Sequence, residues 1–238
     1  MLKLLALGLS LLISHAQAAP DINGIWVNRA LIDAAAQGGP LNTAGAHLEW
    51  EIDTRNAMAR VSNGFETGEG QLRQTSPDTW TVDYDGHSIN TLRLEGEQLI
   101  QLAQAHTPQQ TFHRPIEVPT AGAKWGSTFR KALNTAYLGG QWRITQGPGT
   151  GDALVFTADG RVSGLPDTVS YELCLDGDCA SQGAGHDTMY LSTEAQGDTW
   201  IFVRKGKQLE IFQAVNTAQA DEVPQLTPGP RQWLLEKQ

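Results

Sequence analysis

The chain has 238 residues, of which 40% are hydrophobic, and its 26 acidic and 17 basic residues give a formal net charge of −9. This acid excess argues against nucleic acid as a partner and against docking on anionic lipid, since both need a concentrated basic surface. The length and the ordinary composition are typical of one large or two small globular domains.

The N-terminal sequence MLKLLALGLSLLISHAQAAP predicts an export signal at residues 1–18. It has one cation at Lys3, an apolar run over 4–13 and a small-x-small cleavage site at Ala16-Gln17-Ala18. The apolar run is too short to span a bilayer and no other stretch is long enough, so no stable membrane insertion is expected. Because no cysteine lies beside the cleavage site, the product is predicted to be a periplasmic or secreted protein, not a lipoprotein.

Two turn-flanking residues, Cys174 and Cys179, are the only cysteines in the chain. In an oxidising compartment they are expected to pair, and Asp176-Gly177 between them predicts a two-residue hairpin turn with a disulfide across its tip. A redox-active pair and a zinc site are the alternatives. The first normally has two intervening residues at a helix start and the second needs four ligands, so a structural disulfide is favoured.

Four short motifs occur twice in the chain, in the same order, at offsets between 110 and 120 positions. They are Gly24-x-Trp26 with Gly140-x-Trp142, Asp78-Thr79-Trp80 with Asp198-Thr199-Trp200, Glu95-Gly96-Glu97-Gln98-Leu99 with Lys205-Gly206-Lys207-Gln208-Leu209, and Thr107-Pro108 with Thr227-Pro228. Two copies of one domain whose loops differ in length would give offsets that vary in this way. The repeats predict a first β domain at 19–115, a linker with a helix at 116–138 and a second β domain at 139–238, with one continuous domain as the alternative.

Both halves have the alternating pattern of β-strands. In residues 47–53 the alternation predicts that Leu48, Trp50 and Ile52 face a core while His47, Glu49, Glu51 and Asp53 face water. Short strands separated by glycine-containing turns are typical of antiparallel meanders. The predicted fold class is therefore all-β, with two tandem antiparallel up-and-down barrels or sandwiches.

Helices are predicted at only two places. Between the halves, apolar residues at helical spacing predict an amphipathic helix with Ser127 as its N-cap; they are Trp125, Phe129, Leu133, Ala136 and Tyr137. The alanine-rich stretch from Arg29 to Ala36 predicts a second, short helix. The proline-containing stretch from Gln109 to Gly122 is predicted to be a linker.

A Gly-x-Trp motif on the first strand of an up-and-down barrel resembles the lipocalins and their wider calycin relatives, and Val82-Asp83-Tyr84 is similar to their Asp-Tyr signature. The second half has no counterpart of the Asp-Tyr motif. The resemblance implies a β-barrel scaffold in which binding of small apolar molecules is common and enzymatic activity is the exception.

In that family an arginine near the last strand packs over the motif tryptophan, which seals the closed end of the barrel. The resemblance therefore implies that Arg114 lies over Trp26 and Arg231 over Trp142 as cation–π pairs. Together with Gly24 and Gly140, these residues are the predicted barrel-end structure.

No catalytic, cofactor or metal motif is found in the sequence, so no catalytic residue, cofactor or metal ligand is predicted. The histidines beyond the signal are His47, His87, His106, His113 and His186, none in a metal-binding spacing. His106 and His113 are interpreted as surface residues. The acidic residues around Gly86 do not match a calcium loop, because position twelve is Leu94 where a glutamate is needed.

Seven tryptophans remain to be explained, at positions 26, 50, 80, 125, 142, 200 and 233. Most are expected in the cores of the two halves. Trp50 and Trp125 do not recur between the halves, so these two are predicted to line a ligand cavity.

The sequence favours an exported, non-enzymatic barrel that binds a small apolar or amphipathic molecule. The alternative is a protein–protein interaction or envelope-assembly module without a ligand cavity, and a hydrolase using scattered acids and histidines is the third. An apolar cavity would support the first class, and a solid barrel with an exposed apolar patch the second.

Overall fold

The description of the fold rests on a computed structural model that describes residues 21–41, 43, 45–105, 107–117, 119 and 122–238. The predicted export signal at 1–18 and His106 lie outside the described residues. None of the described helices has the length and apolar character needed to cross a bilayer.

The first half forms a closed antiparallel barrel of eight strands in sequential order. The strands are β1 (Gly24–Val27), β2 (Glu49–Asp53), β3 (Met58–Ser62), β4 (Thr67–Ser76), β5 (Thr79–Asp83), β6 (Ile89–Glu95), β7 (Gln98–Gln101) and β8 (Gln110–His113). The barrel closes where Val27 of β1 pairs with His113 of β8. One helix, α1 (Arg29–Ala36), follows β1 at the residues that the sequence predicts.

The second half is an eight-stranded antiparallel sheet in the order β11-β10-β9-β16-β15-β14-β13-β12. Its strands are β9 (Gly140–Gln146), β10 (Ala153–Phe156), β11 (Val162–Ser163), β12 (Ser170–Leu173), β13 (Thr188–Ser192), β14 (Gly197–Lys205), β15 (Gln208–Asn216) and β16 (Leu226–Lys237), with helices α2 (Ser127–Tyr137) before them and α3 (Gly177–Gln182) between β12 and β13. A single bridge between Arg161 and Ser170 joins the two ends of the sheet. The prediction of an all-β protein with two tandem barrel-like units is confirmed.

The hydrophobic core is divided unequally between the halves. The interior of the first barrel holds Ile22, Trp26, Trp50, Ile52, Trp80, Leu92, Leu99 and Phe112 among others. The second core extends beyond its own sheet and includes residues of α1, α2 and Leu48 from the first half. Leu48 therefore packs against the second half, while Trp50 and Ile52 face the interior of their own barrel.

Hydrogen bonds between side chains and backbone groups hold the two halves together. The hydroxyl of Tyr137 donates to the carbonyl of Gly39, and the amide of Leu41 donates to the carboxylate of Asp187 at 3.0 Å. The guanidinium of Arg130 on α2 donates to the carbonyls of Gly64 and Leu173, each at 2.9 Å. Because these groups lie in both halves, α2 is part of the interface and not a free connector.

Three local predictions need correction. The N-cap of α2 is Gly126 in a left-handed conformation, and Ser127 is the first helical residue. The predicted linker at 109–122 contains strand β8, in which Gln110 and Phe112 are buried and which closes the barrel by pairing with β7 and β1. Asp78-Thr79-Trp80 and Asp198-Thr199-Trp200 are not equivalent, since Trp80 lies on the fifth strand of its unit and Trp200 on the sixth.

The disulfide between Cys174 and Cys179 is present, with the two α-carbons 5.9 Å apart. The predicted hairpin is wrong, because the carboxylate of Asp176 accepts the amide of Gly177 and caps the N-terminus of α3. Asp-Gly is a good hairpin pair, but aspartate is an equally good N-cap, and the following residues form a helix here. The bridge therefore links the end of β12 to the first turns of α3.

Candidate functional site

The Gly-x-Trp ends of the two units share one local structure. Gly24 and Gly140 both have positive φ, 101° and 106°, which favours glycine at the first position of the motif. Two residues later, the indole Nε1 of Trp26 donates to the carbonyl of Ile22 at 2.8 Å, and that of Trp142 donates to Leu138 at 2.7 Å. The Gly-x-Trp motif thus turns the chain into the first strand and fixes a buried indole.

The cations over these tryptophans differ between the units. The guanidinium carbon of Arg114 lies 3.9 Å from the ring centroid of Trp26, as the resemblance implies. Arg231 does not contact Trp142, because its side chain is turned to Glu210 and Gln146. Arg204 and Lys237 take that place, 5.7 and 5.5 Å from the ring centroid.

The opposite end of the first barrel contains a layer of hydrogen-bonded polar side chains. Gln101 is fully buried, and its Oε1 accepts from the Trp50 indole at 3.2 Å and lies 2.7 Å from Nδ1 of His47. Its Nε2 donates to Asn90 at 3.4 Å, and Asn90 donates to the hydroxyl of Tyr84 at 3.0 Å. Burial lowers the pKa of His47 and raises the pKa of Tyr84 to about 12, so both side chains are held neutral at pH 7.

The prediction that Trp50 lines a ligand cavity is not met. Its side chain has 0% exposure and is in edge contact with His47, their ring centroids 5.8 Å apart. The indole N–H is bonded to Gln101, which leaves Trp50 without an open face. Trp50 therefore fills the first barrel and supports the polar layer.

An apolar pocket of about 250 Å³ lies outside the barrels, between α1, α2 and the segment after β8. Its apolar walls are Val27, Ile32, Pro115, Ile116, Ala132 and Ala136. Ile116 is 79% exposed, the highest exposure of the large hydrophobic side chains in the described residues. An apolar side chain held open at the mouth of an apolar pocket is typical of a ligand site.

Polar groups stand at the rim of this pocket. They are the cations Arg29 and Lys131, the acid Glu117, and the hydroxyls of Ser127, Thr128 and Thr135. Arg29 also pairs with Asp33, its Nε 2.8 Å from the carboxylate. The rim can therefore bind a polar head group while the walls bind an apolar body.

A second concave region, which we call the inter-barrel groove, runs along the other side of α2. One end is lined by Trp125 and Lys131 and the other by Cys174 and Tyr190. Phe65 and Arg130 line both ends. Phe65 is 55% exposed and Trp125 38%, with the guanidinium carbon of Arg60 4.1 Å from the Trp125 ring centroid. Trp125 thus lines this groove, which is separate from the barrel interior that holds Trp50 and from the apolar pocket.

Glu49 is the residue that the sequence reasoning missed. The alternating pattern predicts that it faces water, yet its exposure is 4% because the N-terminus of α2 covers it. Its carboxylate accepts the amides of Phe129 at 2.6 Å and Gly126 at 3.2 Å, and so caps a helix whose own N-cap residue has no side chain. Burial raises the pKa of Glu49 to about 7 against the lowering effect of these bonds.

A glycine in the N-cap position before α2 was the available signal for this contact. The sequence KWGSTF gives the helix no capping side chain at Gly126, so an acceptor from elsewhere in the chain was needed. Sequence spacing does not show which acid supplies it, because Glu49 is 77 residues away from Gly126.

Within the described part of the chain, no group of three or more His, Cys, Asp or Glu side chains is arranged to hold a metal ion. His113 lies half-buried on β8, and His47 belongs to the polar layer. No protein-family model matches the chain, and no curated protein sequence matches it.

Proposed function

We propose that this protein binds one small apolar or amphipathic molecule in the apolar pocket between α1 and α2. The observation that carries the proposal is the pocket itself, with apolar walls on three elements and Ile116 open at its mouth. Apolar surface of this kind is stabilised by a ligand that removes it from water.

We place the ligand outside the barrels because large side chains occupy the barrel interiors. Trp50 and Phe112 are fully buried in the first, and Trp142 and Phe156 in the second. The two barrels and their Gly-x-Trp ends support a lipocalin-like relationship as part of this proposal, with the ligand in a pocket that the added helices form. The role is binding without catalysis.

We further propose that the protein works in an oxidising compartment after export, in the periplasm or outside the cell. The disulfide between Cys174 and Cys179 supports this location, since such bonds persist where thiols are not kept reduced.

The test is a titration of the purified mature protein with octan-1-ol, in which isothermal titration calorimetry measures the binding. Ile116→Asp puts a charge at the mouth of the pocket, and the matched control Val223→Asp changes a 69% exposed side chain that does not line it. We expect octanol to bind the wild type and the control equally, and Ile116→Asp about tenfold more weakly. Equal binding to all three proteins, or binding to none, would contradict the proposal.

A second candidate function is binding of a protein partner in the inter-barrel groove, favoured by the exposed rings of Phe65 and Trp125. Aromatic and arginine side chains are enriched at the centres of protein interfaces. A photo-crosslinking amino acid at Phe65 should give one discrete adduct in the export compartment, while the same group at Val223 should not. Absence of a Phe65-specific adduct would remove this candidate.

A further inference from the structure

We infer that the ligand of the apolar pocket is a single-chain amphiphile with an anionic head, bound through Arg29 and Lys131. This inference rests on the proposed function and adds the chemical class of the ligand. It is drawn from the rim charges, the size of the pocket and the charge of the whole protein.

The charged residues at the rim of the pocket are mainly cationic, opposite in sign to the net charge of the whole protein. The protein has a net charge of −9, yet two cations and one acid line this pocket. Lys131 makes no ion pair within the described part of the chain, and the pair of Arg29 with Asp33 uses only Nε of the guanidinium. Both side chains therefore have donors available for a carboxylate, sulfate or phosphate monoester head.

Hydroxyl groups extend this polar rim along the first turns of α2. Ser127 and Thr128 line the pocket at the start of the helix, and Lys131 lies one turn further on. Hydroxyls donate hydrogen bonds to anionic oxygens, and a lysine on the same helix face adds the charge. A cationic head would meet Lys131 and Arg29 with the same sign, and a neutral head would lose the attraction.

The size of the pocket limits the ligand to one short chain. A volume of 250 Å³ corresponds to about eight water volumes of ~30 Å³. A chain of about six to eight carbons with its head at the rim fits this space, whereas a two-chain lipid does not. The acidic surface of the protein also disfavours an anionic bilayer as the source of the head group.

The experiment compares three ligands with the same eight-carbon chain and different heads: octanoate, octan-1-ol and octyltrimethylammonium. Each is titrated calorimetrically, below its micellar concentration, into the mature wild-type protein, Lys131→Glu and the control Lys205→Glu. Lys205 is exposed at the end of β14 and lies outside the pocket, so the control has the same net charge as the test variant. Arg29→Gln is included as a second change at the rim, and circular dichroism checks the fold of each variant.

We expect wild type and Lys205→Glu to bind octanoate three- to tenfold more tightly than octanol, and octyltrimethylammonium most weakly. Lys131→Glu should weaken octanoate binding about tenfold and strengthen octyltrimethylammonium binding, and Arg29→Gln should weaken octanoate alone. Equal affinities for the three heads would overturn the anionic-head inference while the proposed function stood. Binding of none of the three ligands would overturn both the inference and the proposed function.

Discussion

In the first barrel, the end opposite the Gly-x-Trp motif is filled by Gln101, Asn90 and His47 in a hydrogen-bonded layer. In the second, Trp142, Phe156 and Tyr171 follow one another in edge-to-face contact, with centroids 6.4 and 5.0 Å apart. The same start motif is thus compatible with a filling that combines apolar side chains with a buried polar layer, as in the first barrel. It is equally compatible with a filling that contains a run of aromatic contacts starting at Trp142. The motif determines how the chain enters the first strand, and it does not determine the rest of the filling.

The two fillings have different requirements. A buried amide must keep its hydrogen bonds or lose stability, whereas packed rings need only shape and volume. Gln110 carries this cost in part. Its Oε1 accepts from the amide of His47 and from Asn28, but its Nε2 has no hydrogen-bond partner among the residues that the structure describes. The first barrel should therefore be the half that responds to pH and polarity, and the second the half that responds to lost volume.

Loss of an aromatic side chain from the second core should have the largest effect. Trp142→Ala removes a fully buried indole, and we expect the free energy of unfolding to fall by about 3–5 kcal/mol. Because α1 and Leu48 of the first half pack in the same core, urea denaturation should still show one transition, shifted for both halves together. The control Trp125→Ala, at a 38% exposed position, should cost far less.

Separate transitions for the two halves would contradict this expectation. Tryptophan fluorescence and far-ultraviolet circular dichroism would then give different midpoints, and the destabilised second half would unfold without the first barrel. Coincident midpoints in the variant would support one cooperative unit.

A change of pH should affect the contact between the halves through Glu49. Its pKa of about 7 in the folded protein exceeds the ordinary value of 4.5, so the folded state binds the proton more tightly. The stabilisation is complete below pH 4.5 and is lost as pH rises through 7, by about 3 kcal/mol in total. His47 has the opposite sign, because its lowered pKa gives stability that is lost as pH falls below its ordinary value of 6.5.

Comparison of the wild type with Glu49→Gln separates the contribution of Glu49 to the pH dependence of stability from that of His47. The difference in urea midpoint between the wild type and Glu49→Gln should fall as pH rises from 4.5 to 8. The variant lacks the Glu49 contribution, which is lost with rising pH, and keeps the His47 contribution, which grows with rising pH. Glu194→Gln, an exposed change of the same kind, should behave as the wild type. Parallel curves for all three proteins would show that Glu49 does not titrate in this range.

Most of the fold follows from local patterns in the sequence. Alternation in 79–83 predicts β5 with Trp80 and Val82 inward, and the alanine-rich run predicts α1 at its observed bounds. The paired motifs at Gly24 and Gly140 predict two units because each depends on a local turn and a hydrogen bond four residues back. Such features need no knowledge of distant contacts.

The candidate site could not be predicted in the same way, because it depends on contacts across the chain. Ile116 belongs to a segment that looks like a linker, and it lines a pocket only because α1 and α2 lie beside it. Glu49 alternates correctly for an outward strand residue, and the helix that buries it is 77 residues away at Gly126. The lack of a counterpart in the second half predicts Trp50 as a cavity residue, yet this difference between the halves reflects the polar layer of the first barrel.

Removal of the disulfide should have an intermediate effect on stability, centred on the second half and reaching the first half only near Gly64. Cys174→Ser with Cys179→Ser opens a loop with a separation of five residues, and we expect a loss of about 2 kcal/mol from loop entropy. The side chain of Leu175, next to the bridge, contacts the first half near Gly64. Hydrogen exchange of the double variant should therefore increase at residues 174–182 and at 63–66, and exchange confined to 174–182 would show that the bridge does not support that contact.

The smallest expected change in stability comes from removing the arginines near the Gly-x-Trp ends, and it should differ between the two units. Arg114→Ala removes a cation 3.9 Å from the Trp26 centroid and its bond to the carbonyl of Asp21, and we expect a loss of about 1 kcal/mol. Arg231→Ala removes a surface pair with Glu210 and a hydrogen bond to Gln146, and it should change stability by less than about 0.5 kcal/mol. Arg114→Lys should recover part of the loss, since it restores a cation without the planar guanidinium. Equal losses at Arg114 and Arg231, measured by urea denaturation, would mean that the two ends are sealed alike, against the placement of Arg204 and Lys237 over Trp142.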